Sequence, residues 1–157
     1  LVFLPKIISH HPNAMSHELI NYLTIDVEDY FQVAAFEDII TQDSWVSMEC
    51  RVERNTAEIL DILEKHRVKA TFFVVGWIAE RYPALVGEIS RHGHEIGCHS
   101  YLHKKIYNMA PEEFREDTRR AKSILEDILG QKVSGIVEGD RKTAQGVAHS
   151  NTTSPTK

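Results

Sequence analysis

Cysteine is scarce in this chain. Cys50 and Cys98 are the only two among 157 residues, too few for a disulfide framework, and a reduced, cytoplasmic setting is the expectation. Long apolar runs are missing too. None approaches the ~20 residues that span a bilayer, so no transmembrane segment is expected. Residues 1–8 are apolar, but they lack a basic start and a small-residue cleavage site and run into His10, His11, Pro12 and Asn13, which is not the form of a signal peptide. Positive charge is not in excess. Lys and Arg number 18 against 23 Asp and Glu, a formal net charge of −5. That excludes a broad basic surface and, with it, nucleic acid as a main partner. An initiating Met is absent, the first being Met15, and residues 1–14 are expected to be a non-native or disordered leader.

What is present suits one globular domain. Apolar residues make up 42% and charged residues 26%, enough for a real core at this length. Residues 19–27, rich in β-branched and aromatic side chains, predict a buried strand ending in acids. Residues 30–50 read as irregular. A helix is predicted over 52–66, with Val52, Ile59, Leu60 and Leu63 on one face and Asn55 with Glu58 as a capping box at its start or just inside it. Residues 69–75 form a second strand. Residues 78–92 are partly helical, with Pro83 suited to a first turn and Gly93 to a cap. Residues 95–98 make a third strand. Pro111 opens the best helix, striped by Phe114, Thr118, Ala121, Leu125 and Ile128 and stopped by Gly130. Residues 132–136 make a fourth strand. Beyond them Gly, Ser, Thr, Lys and Asn dominate, and residues 137–157 read as a disordered tail.

Strands alternating with helices imply an α/β fold of parallel βαβ units, in which chemistry gathers at the carboxyl ends of the strands. Two motifs fall there. Thr24-Ile25-Asp26-Val27-Glu28-Asp29 ends the first strand, and His99-Ser100-Tyr101-Leu102-His103 follows the third. His99 and His103 are four apart, so on a helix both rings would share one face and could bind one metal. A carboxylate from the first motif would complete the ligands, and a second could act as base on a water activated by the metal. The bland alternative is a pair of surface or capping histidines and a solvated acidic turn. His92 and His94 flank Gly93 as a weaker metal pair, with His94 more simply packed or hydrogen-bonded at the start of its strand. Cys98 reads as a small buried residue. Glu112, Glu113, Glu116 and Asp117 read as an acidic first turn favourable to the helix dipole. Trp45 and Phe36 suit either a sugar-binding groove or the core.

At these residues the chain resembles the polysaccharide deacetylases of carbohydrate esterase family 4, the NodB-like domain. The stretch Leu23–Val33 resembles the first motif in the form found with exopolysaccharide and PEP-CTERM systems. Lys69–Trp77, Gly93–Gly97, His99–His103 and Pro111–Asp117 continue the likeness in order, over roughly residues 17–135. The resemblance implies the N-terminal part of a distorted (β/α) barrel with helices flanking parallel strands, within residues 15–136. It implies removal of acetyl groups from an N-acetylated polysaccharide, with Asp26 as general base and a divalent metal, Zn²⁺ by preference, held by Glu28, His99 and His103. Asp29 is the alternative carboxylate, because Val27 stands where the common pattern has a second aspartate. Related domains hydrolyse cyclic amides, a further possible substrate class.

The resemblance stops near residue 136. An Arg-x-Pro stretch should follow Val133-Ser134-Gly135, but the chain reads Ile136-Val137-Glu138-Gly139. No counterpart to the family's later histidine acid is present, and His149 lies in the polar tail. The expectation is a partial domain with a frameshifted or disordered ending. Such a chain would have impaired turnover or would be an inactive metal- or carbohydrate-binding remnant.

Overall fold

Short β-branched runs divided by longer amphipathic segments can bury their apolar faces only by laying helices against a sheet. The computed structural model describes residues 22–136 and shows that arrangement. Strand β1 (Thr24–Val27) leads through irregular chain to helix α1 (Val52–His66), then β2 (Thr71–Val74). Helices α2 (Gly76–Arg81) and α3 (Pro83–Arg91) precede β3 (Glu95–Cys98), and α4 (Pro111–Leu129) precedes β4 (Gly135–Ile136). The expected leader 1–14, residues 19–21 of the expected first strand and the tail 137–157 lie outside the described residues.

The four strands form one sheet in the order β1-β2-β3-β4, every pair parallel. Each strand lies beside its predecessor after a helical crossover. That is how a (β/α) barrel winds, whereas a doubly wound sheet reverses its order.

Alternation along the strands sorts the residues into two faces. Val27, Val74 and Cys98 stand side by side, as do Ile25, Phe72 and Ile96. This face meets the helices: Cys98 Sγ lies 3.9 Å from the Thr118 carbonyl of α4. On the opposite, inner face, Asp26, Phe73, Gly97 and Gly135 line up across the strands. The Phe73 ring lies against Gly97, and a Cβ there would come within 2.4 Å of it.

Helix α1 keeps the expected bounds, Val52–His66, whereas its cap and some other boundaries differ from the sequence reading. Helix α1 begins at Val52, so Asn55 and Glu58 lie inside it and form no capping box at its start. The expected segment 78–92 starts earlier, at Gly76, and breaks at Tyr82. A residue before proline is disfavoured in helical conformation, and Tyr82 adopts φ −124°, ψ 56°. Pro83 and Pro111 occupy first-turn positions, and Gly93 (φ 74°) and Gly130 (φ 65°) supply left-handed turns. The fourth strand is shorter than expected. The irregular segment is three short 3₁₀ turns, at Tyr30–Gln32, Ala34–Phe36 and Gln42–Ser47. Trp45 belongs to the core: it packs edge-on against Trp77 at 5.5 Å and beside Phe31 at 5.9 Å. Phe36 stays exposed.

Gly97→Ala should lower stability by about 1–3 kcal/mol, the usual cost of overpacking, because the Phe73 ring must leave its place. Urea unfolding of the two proteins measures the difference.

Candidate metal centre

Parallel strands carry the two motifs to one rim. Asp26 faces inward on β1. Glu28, two residues on, continues that face just past the strand end, and His99 does the same two residues after Gly97 of β3. The intervening Val27 and Cys98 are buried on the helix side. His103 arrives from the following turn. One ligand atom each from Glu28, His99 and His103 falls within a 4.8 Å cluster. Asp26 lies beside them, its Oδ2 3.8 Å from His99 Nε2, with its side chain half exposed.

The turn holding the histidines is not helical, so the same-face spacing expected for a helix does not apply. Ser100 (φ 55°) and His103 (φ 53°) are both left-handed, a region that non-glycine residues visit at a cost. Hydrogen bonds hold the turn in this shape. The first two amides of α2, Gly76 and Trp77, donate to the Ser100 and Tyr101 carbonyls at 2.8 and 3.1 Å, satisfying donors that a helix start leaves orphaned. The Tyr101 and Leu102 amides donate to the two carboxylate oxygens of Asp117 at 2.6 and 3.1 Å. The His103 amide donates to Ser100 Oγ at 3.1 Å. Burial raises the Asp117 carboxyl above the usual carboxylate range, opposed by those two amides.

The tautomer of the neutral His103 ring follows from its partner. Its Nδ1 stands 2.9 Å from the Gln32 carbonyl. A carbonyl only accepts, so Nδ1–H donates, and in the neutral ring Nε2 carries a lone pair. That lone pair faces Glu28 Oε2 at 3.2 Å. Glu28 Oε2 is buried, and among the described residues no N–H or O–H donor other than a protonated His103 reaches it. Two acceptors at this distance repel unless a proton or a cation lies between them. Burial raises the Glu28 carboxyl above the ordinary range, and Asp26 nearby adds to this while His103 opposes it. A carboxylate and two imidazoles, one oriented by a backbone carbonyl, form a donor set that suits Zn²⁺ or a similar divalent ion.

Asp29, the alternative carboxylate, is committed elsewhere. Its Oδ1 accepts from the Tyr30 amide, and its Oδ2 from the Arg51 and Val52 amides and the Cys50 thiol. It therefore caps α1 from across the fold. Gln32 Oε1 in turn accepts from the Asp29 amide at 2.9 Å. Burial is the main cause that raises the Cys50 thiol, and it pushes Cys98 up to about 11. His94 does not join a metal pair with His92. Its Nδ1 accepts from the Ala70 amide, and its ring lies 5.0 Å from Phe72, at the amino end of β3. A cavity of about 50 Å³ lies beside His103, lined in part by Phe31, Trp45 and Leu102. It is far smaller than the roughly 300–1,000 Å³ of ligand pockets, so Trp45 does not line a sugar groove there.

Three contributors escaped the sequence reading. Asp29-x-x-Gln32 has the form of a capping box, a signal open to reading. Asp117 stands in register with Ala121 and Leu125, the other buried residues of α4, and a carboxylate on a buried stripe calls for a partner. The Gln32 carbonyl carried no signal.

The polysaccharide deacetylase family model matches residues 35–138, about two thirds of the chain, and the chain belongs to that family. The match begins beyond Asp26 and Glu28, which the fold brings back to the histidines. A peptidoglycan-N-acetylglucosamine deacetylase of Bacillus cereus is 40% identical over 75 residues, 48% of this chain and 27% of that protein. A chitooligosaccharide deacetylase of Azorhizobium caulinodans is 34% identical over 76 residues, 48% of this chain and 36% of that protein. Among solved structures, a carbohydrate esterase family 4 pseudoenzyme from Bacillus anthracis superposes with a TM-score of 0.58 at 26% identity. That superposition covers 77% of this chain and 36% of the other. The chain thus matches between 27% and 36% of the length of these two curated relatives.

Glu28 and Asp29 should respond oppositely to mutation. Asp29→Ala orphans three backbone amides, each worth ~1–3 kcal/mol when buried, and should cost about 3 kcal/mol or more in denaturant unfolding. Glu28→Gln removes a charge that burial already disfavours and should leave stability within about 1 kcal/mol.

Proposed function

We propose that this chain is a metal-dependent deacetylase domain acting on N-acetylhexosamine units of a polysaccharide. The carrying observation is the convergence of Glu28, His99 and His103 within 4.8 Å, with the His103 lone pair facing the Glu28 carboxylate. The relatives named for deacetylation of peptidoglycan and chitooligosaccharides support the substrate class. No helix among the described residues is long and apolar enough to cross a membrane.

Glu28, His99 and His103 would hold Zn²⁺, which when bound polarises a carbonyl and lowers the pKa of water to about 7. Asp26, half exposed beside His99, accepts the proton of the attacking water. The water oxygen adds to the acetyl carbon, the C–N bond breaks, and acetate and a free amine result. The amine must gain a proton as it leaves. The remaining described histidines do not stand at this rim: His92 and His94 precede β3, and His66 ends α1 ahead of β2. Loss of a general acid costs ~10²–10⁴-fold, so slow turnover by these residues alone is part of the proposal.

A second reading, metal or carbohydrate binding without catalysis, is favoured by one observation: the superposable Bacillus anthracis relative is described as a pseudoenzyme. It predicts zinc binding with no acetate release at any metal loading.

Calorimetric titration with Zn²⁺ should show one site in the parent chain and at least 100-fold weaker binding in the His99→Ala, His103→Ala double variant. Unchanged affinity in the double variant would end the metal-site reading. Acetate release from N-acetylated chito-oligosaccharide should be slow but abolished by Asp26→Asn, and no release from the parent selects the second reading.

A further inference from the structure

Asp117 sits on a helix remote in sequence from both motifs, and its two carboxylate oxygens meet two consecutive amides of the histidine turn. The Tyr101 amide is 2.6 Å from Oδ2 and the Leu102 amide 3.1 Å from Oδ1. Asp117 touches neither histidine through these bonds, and it lies buried on the stripe that α4 packs inward. A carboxylate placed there is costly unless it has a specific partner.

The turn needs such a partner. Ser100 and His103 are both left-handed, and the Tyr101 and Leu102 amides lie in a segment that is neither helix nor strand. On the other side of the same peptides, the Ser100 and Tyr101 carbonyls accept from the Gly76 and Trp77 amides of α2. Each of the two peptide units is thus gripped at both ends, by α2 through its oxygen and by α4 through its hydrogen. The grip lies between the histidines in the chain, so it fixes their separation and direction. The ring centroids stand 4.6 Å apart and 72° from parallel.

Behind the turn, α2 and α4 are tied together. Tyr101 Oη donates to Glu80 at 2.6 Å, and Arg120 stacks over the Tyr101 ring at 3.6 Å while pairing with Glu80 at 3.2 Å. Gly76 is pressed against α4 and the same tyrosine: a Cβ there would lie 2.8 Å from both Ala121 Cβ and the Tyr101 ring. The two helices can shift little relative to each other, so the Asp117 carboxylate is presented at a fixed place.

We propose that Asp117 is a positioning residue of the metal centre, setting the geometry of His99 and His103 through the two amides between them. The proposal rests on the reading of Glu28, His99 and His103 as metal ligands. Asparagine keeps the size of Asp117 but replaces one acceptor oxygen with a donor, which would confront an amide N–H instead of receiving it. Removing an outer partner of a metal ligand typically lowers affinity by about 10–100-fold.

The test compares the parent chain with Asp117→Asn, Asp117→Ala and Leu125→Ala. Leu125 is fully buried on the same helix and holds neither histidine, so its truncation loosens α4 packing without removing the grip on the turn. Each protein is titrated with Co²⁺, read by its visible spectrum, and with Zn²⁺ by competition against a chelator, below its own unfolding temperature. The expected result is a 10–100-fold loss of affinity and an altered cobalt spectrum in both Asp117 variants. Leu125→Ala should lose thermal stability yet bind within about threefold of the parent. Parent-like affinity and spectrum in Asp117→Asn would overturn this inference alone, as would an equal loss in Leu125→Ala. A parent chain that binds neither ion would remove the metal-centre reading and this inference with it.

Discussion

In a parallel sheet the strands all end at one rim, and alternation decides which residues there share a face. Asp26 and Glu28 are two apart at the end of β1. Gly97 and His99 are two apart at the end of β3, in register through Phe73. The inner face therefore gathers two carboxylates and an imidazole without any local motif needing to know of the other. The register depends in turn on the buried alternates, Val27, Val74 and Cys98, packed on the helix side. A slip of one residue would send Asp26 and Glu28 into the helix interface and the valine out to the rim.

Four carboxylates near this rim have different fates, and their surroundings explain each. Asp29 and Asp117 meet backbone amides and are used to hold chain segments: Asp29 the start of α1, Asp117 the histidine turn. Glu28 is partly enclosed and faces His103 Nε2, so a proton or a cation must lie between the two. Asp26 is half exposed to water beside His99. Residue type does not distinguish these roles; the partner within hydrogen-bonding distance does.

That distinction also marks what was legible beforehand. The order of strands and helices follows from periodicity, and the placement of both motifs at strand ends follows from the parallel topology that periodicity implies. That Asp26, Glu28, His99 and His103 meet at one rim was readable for that reason, whereas their individual roles came only from the resemblance. The shape of the histidine turn was not readable. A four-residue spacing suggests a helix, yet the segment is bent by an aspartate 16 residues away, and His103 is oriented by a carbonyl 71 residues away. Helix α1 spans the expected residues 52–66, but what caps it was not legible, for the same reason. Its cap is a side chain 23 residues upstream of Val52, and no window of sequence around residue 52 contains it. The break at Tyr82 was readable from Pro83, because its cause is local.

The spacing Asp26-Val27-Glu28 has its own physical logic. Adjacent residues on a strand point to opposite faces, so a base and a ligand drawn from neighbouring positions require the second to lie where the strand has already ended. Here Val27 still pairs with Val74 as the last rung of β1, and it is buried among the helix-side residues. A carboxylate at that position would face the core. By placing the second acid one residue later, the chain returns to the inner face beyond the last rung, where Glu28 meets His103 and Asp26 remains beside His99. The extra residue also leaves Asp29 at the turn into the first 3₁₀ segment, where its carboxylate is taken up by the start of α1. The order inner-face acid, core residue, inner-face acid, cap along residues 26–29 thus follows from strand alternation and the point at which the strand stops.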